Sequence, residues 1–94
     1  MKNGFSIFDT HTHIGHGLHH GRTYRAGQLI AAMDKHGVDR SVVIPFPVVA
    51  DYREAHNEIA QAIKDHPERI IGTVCINPYI GADDYRDEVK RCVE

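Results

Sequence analysis

Two histidines separated by one threonine, His11 and His13 in Phe8-Asp9-Thr10-His11-Thr12-His13-Ile14-Gly15, are the residues of this chain best suited to chemistry. Neutral imidazole is a ligand for zinc and similar divalent ions. Side chains two apart on a strand leave on the same side, so the pair can hold one ion between them. Asp9, two residues before His11, is placed to fix an imidazole tautomer as a hydrogen-bond acceptor behind the ligands. The competing reading is chance, because the chain has eight histidines. His16 follows the pair closely and stands either as a pocket residue that meets an anionic substrate group or as solvated loop. His19 and His20 would complete a local site with the pair only if the glycine-rich loop that carries them were ordered. His36, His56 and His66 fall on or at the ends of helical patterns and read as surface or capping residues. Cys75 reads as a small core residue; no base can be assigned to activate it.

These residues need elements to position them. The run Phe5-Ser6-Ile7-Phe8 is short, mostly apolar and aromatic, which predicts a buried strand with the histidine pair at its tip. A loop rich in glycine and histidine, Gly15 to Gly21, follows. Ala26, Leu29, Ile30 and Met33 then recur at the spacing of one helical face, and Gly37 suits a left-handed C-cap. Ser41-Val42-Val43-Ile44 predicts a second, β-branched strand stopped by Pro45-Phe46-Pro47. A second helix carries Ala55, Ile59, Ala62 and Ile63 on one face and ends at His66-Pro67. A third strand is predicted from Ile70 to Ile76, stopping at Asn77-Pro78. A third helix places Tyr85, Val89, Cys92 and Val93 on one stripe, with Asp83 and Asp84 at its start and Lys90 and Arg91 near its end, matching the helix dipole.

Strands joined by helical crossovers are parallel and lie in a sheet covered by helices, so the fold class is α/β. All three strand tips then fall on one side, where binding and catalysis gather in parallel α/β folds. Phe46, at the second tip, is a candidate apolar wall for a substrate or a plain core residue. Tyr79 has the same two readings, and Asn77 at the third tip is a further candidate lining residue.

Ninety-four residues amount to one small domain or part of one, and 41% apolar with 26% charged residues describes an ordinary globular chain. A net charge of −2 gives no general attraction to nucleic acid or to an anionic membrane, and no stretch is long enough to span a bilayer. Met1-Lys2-Asn3-Gly4 leads straight into the first strand without a secretory segment. Two scattered cysteines, Cys75 and Cys92, are expected to stay reduced, which points to the cytoplasm.

The segment Phe8 to Gly15 resembles the opening of amidohydrolase-related enzymes, the branch of metal-dependent carboxylate decarboxylases and lactone hydrolases. Leu29 to Val43, Asn57-Glu58-Ile59-Ala60, His66 to Gly72 and Asn77-Pro78 are similar to the helices and strands that follow in that family. The resemblance implies three βα units of a (β/α)₈ TIM-type barrel, incomplete as given. It also implies a metal centre at the strand tips, most often zinc with manganese as a second choice, held by His11 and His13 with Asp9 in support. Hydrolysis of a C–O or C–N bond and non-oxidative decarboxylation of a small carboxylate both fit such a centre.

The departure from the family is large. Its remaining ligands, a histidine and an aspartate from later strands, and its catalytic histidine have no counterpart among these residues. A catalytic zinc normally has three protein ligands plus water. Residues 1–94 are therefore expected to be the N-terminal portion of a longer enzyme whose catalytic groups lie beyond Glu94. Open sheet edges would favour self-association or aggregation of the isolated chain. TatD-type nucleases and phosphoesterases of the polymerase-and-histidinol-phosphatase type also open with His-x-His on a first strand. A catalytically silent fragment or interaction module is the remaining alternative.

Overall fold

A computed structural model describes residues 4–18 and 21–93. The described elements are β1 (Phe8–His16), β2 (Thr23–Tyr24), α1 (Ala26–His36), β3 (Arg40–Pro45), α2 (Tyr52–Asp65), β4 (Ile70–Gly72) and α3 (Ala82–Val93). They form a mixed α/β fold with one four-stranded sheet in the order β2-β1-β3-β4. β1, β3 and β4 are parallel, and β2 is antiparallel to β1. Among the described residues no helix is long and apolar enough to cross a membrane.

The helices follow the periodicity. α1 stops at Gly37, whose φ of 71° is the left-handed conformation that a residue without a Cβ adopts freely. Asp51 caps α2, its side chain accepting from the backbone N–H groups of Arg53 and Glu54, and His66 before Pro67 ends it. The expected stripe on α3 is displaced. Glu88 is its one buried residue among those described, while Tyr85 and Val93 are exposed. That helix docks through a carboxylate, which an apolar pattern does not reveal.

Three strand predictions need correction. The first strand begins where it was expected to end: Phe5 and Phe8 are exposed, and β1 carries His11 and His13 in its interior. Pairing with β3 decides this, because Thr12 lies against Val43 and His13 against Ile44. Between Asp9 and Thr12 the register shifts, so one extra residue of β1 is accommodated there. Second, the chain after Gly15 is not all loop: it reverses and returns as β2, with Gly15 opposite Tyr24 and His16 opposite Thr23. Third, the strand predicted from Ile70 to Ile76 stops at Gly72, after which only the Thr73 N–H still reaches the Val43 carbonyl.

The layering is one-sided. Ile14, Val43 and Ile70 share one core cluster with Leu29 and Met33 of α1 and Ile59 and Ala62 of α2. Both helices therefore cover the same face of the sheet. Strand alternation sends His11, His13, Val42, Ile44 and Ile71 to the opposite face, and none of them is buried. The smallest extent of the molecule, 19 Å, is that of one sheet and one helix layer. Gly72 lies on the helix side, where a Cβ would come within 2.7 Å of both Ile59 Cγ2 and Ile63 Cδ1. No other described strand pairs with the outer side of β4.

Candidate metal centre

The two imidazoles converge. His11 Nε2 and His13 Nε2 lie 3.2 Å apart, with the rings edge to face. A tetrahedral zinc with Zn–N bonds of ~2.0–2.1 Å separates two such nitrogens by roughly 3.3 Å. The spacing suits two ligands of one ion and is also that of a hydrogen bond between the two rings.

Their tautomers matter as much as their distance. His13 Nδ1 lies 2.8 Å from the Ile44 carbonyl oxygen, which can only accept, so Nδ1 carries the proton. His13 Nε2 is then an acceptor, and without an ion it takes its hydrogen bond from His11 Nε2–H. The neighbouring strand thus supplies the acceptor that fixes this ring. Asp9 serves elsewhere: its Oδ1 accepts the backbone N–H of His11 at 3.1 Å, steadying the shifted stretch of β1. Phe46 stacks on His13 with centroids 5.2 Å apart and planes at 25°. Phe46 is held in turn by Gly17, where a Cβ would meet Phe46 Cγ at 3.0 Å. Gly17→Ala is accordingly expected to push this ring off His13 and to cost about 1–3 kcal/mol in denaturant unfolding.

The other candidate residues are dispersed. His16 faces a different hollow, shared with Arg25, Asp51 and Glu58, and its Nδ1 lies 2.5 Å from Thr23 Oγ1. Asn77 is exposed and accepts the Tyr79 N–H in a local turn, and Tyr79 is 92% exposed. His19 and His20 lie outside the described residues.

A second group was missed in the sequence. His56, expected on the surface, is 5% exposed and faces Glu88, which is 3% exposed. With Cys92 they form a possible metal site, since one donor atom from each lies within 4.8 Å of the others. Its proton arrangement opposes a metal. His56 Nε2 receives the backbone N–H of Cys75 at 3.2 Å, so its proton sits on Nδ1, 2.7 Å from Glu88 Oε2. A metal on Nδ1 would force a proton onto Nε2, against the Cys75 N–H. Arg91 adds a positive charge, gripping both Glu88 oxygens at 2.6 Å and reaching Asn57 Oδ1 and the Arg53 carbonyl. Arg91, followed by His56, holds the Glu88 carboxyl down to about 2, against its desolvation, while burial raises the Cys92 thiol. This cluster is a self-satisfied clasp of α2 and α3. A sequence signal for it existed, because His56 lies three residues before Ile59 on the inward face of its helix.

Compared with protein-family models, with characterised proteins and with solved structures, the chain matches none at a significant level.

Proposed function

We propose that His11 and His13 are two ligands of a divalent metal, zinc first and manganese second, in a metal-dependent enzyme of the amidohydrolase-related kind. The reaction is hydrolysis of a C–O or C–N bond or non-oxidative decarboxylation of a small carboxylate. The observation that carries this reading is the pair of Nε2 atoms 3.2 Å apart, with the proton of His13 fixed on Nδ1 by the Ile44 carbonyl. A divalent ion supplies such a site with a water of lowered pKa or with polarisation of a substrate carbonyl.

The fold admits the same reading. Parallel strands in the sequential order β1-β3-β4, with α1 and α2 on one face, are compatible with part of a (β/α)₈ barrel and equally with one half of a doubly wound sheet. On this reading the uncovered face, with Val42, Ile44 and Ile71 beside the histidines, is a barrel interior. Two imidazoles are half a coordination sphere, so further donors have to come from outside the described residues.

Calorimetric titration with zinc tests the proposal. One ion per chain is expected, bound weakly, and binding is expected to vanish in the His11→Asn/His13→Asn double variant. Unchanged binding in that variant contradicts the reading. Metal-dependent turnover of phosphodiesters or phosphomonoesters, without turnover of lactones or carboxylates, would favour the phosphoesterase alternative.

A further inference from the structure

The open face of the sheet carries more than the imidazole pair. His13 stands beside Ile44 in the register, and Val42 beside Ile71, so an apolar patch adjoins the two rings. None of these side chains is buried, and α1 and α2 both pack on the other side. The Nε2 atoms of His11 and His13, 3.2 Å apart, offer two corners of a tetrahedron and leave the outward two empty. The hollow in front of them measures about 420 Å³, far more than the ~30 Å³ share of one water, so whole side chains fit there.

A half-filled coordination sphere and an uncovered apolar patch thus meet on one face. A second copy of the chain satisfies both, because a two-fold axis through the ion brings in an identical pair of rings at the identical spacing. Facing sheets lie ~10 Å apart, which puts the midplane ~5 Å above each sheet, about the reach of an imidazole side chain. The patch is too small to hold two copies by itself. Three strands ~4.8 Å apart and roughly 20 Å long present only about 300 Å². A stable dimer takes ~800 Å² from each partner, so the ion has to decide the association.

We propose that zinc joins two copies of this chain face to face, each giving His11 Nε2 and His13 Nε2 to one ion on the two-fold axis. His13 needs no change, since its proton is already on Nδ1; His11 moves its proton from Nε2 to Nδ1 as the ion arrives. Val42, Ile44 and Ile71 then close against their counterparts and exclude water from the rings. By mass action, a large excess of zinc gives each chain an ion of its own and parts the copies. One ion per two chains is therefore the bridged state, and one per chain the saturated one.

The proposal rests on the reading of His11 and His13 as metal ligands, though not on any reaction assigned to them. Sedimentation velocity of the whole chain measures mass as zinc is added, and NMR of the ring nitrogens in the same samples shows where zinc binds. At one zinc per two chains the mass is expected to double, and to fall back with a large zinc excess or with EDTA. Raising the protein concentration a hundredfold is expected to lower the free zinc at half-saturation at least tenfold, a shift that binding to single chains does not produce. His11→Asn is expected to abolish the doubling. Ile71→Lys, which keeps both rings but sets like charges across the face, is expected to abolish it too while zinc still shifts His11 and His13. Zinc bound at both rings with the mass unchanged at every ratio overturns the proposal and leaves the metal reading standing. Doubling that survives in His11→Asn/His13→Asn or in Ile71→Lys also overturns it, because the contact then lies elsewhere. If neither ring responds to zinc, the metal reading falls and the bridge falls with it.

Discussion

Glu88→Ala is expected to destabilise the fold by about 1–3 kcal/mol, the usual cost of leaving a buried hydrogen-bonding group without its partner. The loss is large because one carboxylate serves several donors: His56 Nδ1–H and both arms of Arg91, with the Cys92 thiol alongside. Without it, the buried His56 N–H loses its acceptor, and Arg91 keeps only Asn57 Oδ1 and the Arg53 carbonyl to tie α3 to α2. The same carboxyl sets the response to acid. Its pKa lies near 2 in the folded chain against an ordinary 4.5, chiefly through Arg91 and then His56. A depressed folded pKa gives stability that is present above the ordinary value. That stability is lost as pH falls from about 4.5 towards 2. Denaturant unfolding at pH 7 and pH 3 is expected to show this loss in the wild type and a much smaller one in Glu88→Gln. Equal losses in the two proteins would remove the clasp from the account.

Ile14→Ala is expected to cost about 2–5 kcal/mol, as isoleucine truncation in a packed core does. Ile14 is 2% exposed and joins β1 to the cluster built by Val43, Ile70 and the inner faces of α1 and α2. The core is small, so little remains to close the cavity. Because Ile14 follows His13 on the opposite face of the strand, its loss also loosens the register that sets His13 against Ile44. Urea unfolding measures the first effect, and a weaker zinc complex the second.

Much of this was legible in the residues, for local reasons. The helix faces, the stop at Gly37 and the end of α2 before Pro67 follow from spacing, capping and the geometry of proline. The side shared by His11 and His13 follows from strand alternation, and it survives the register shift beside them. What stayed hidden depends on partners distant in sequence. The two residues of β2 have no pattern of their own and become a strand only by pairing with Gly15 and His16. Gly15, at a φ of 107°, takes a backbone conformation that residues with a Cβ rarely adopt. His56 looks like a surface residue until Glu88, 32 positions away, is folded against it. Asp9 accepts the backbone N–H of His11, while the acceptor for the His13 ring is a main-chain carbonyl on β3, which no side-chain motif encodes.

The most direct measurement follows the ring nitrogens of every histidine by NMR while zinc is added. Nε2 of His11 and of His13 should respond together and saturate at one ion per chain, while His13 Nδ1 keeps its proton and His56 stays unchanged. A response centred on His56, with deprotonation of Cys92 and no effect at His11 and His13, would contradict the assignment of the metal to the strand pair.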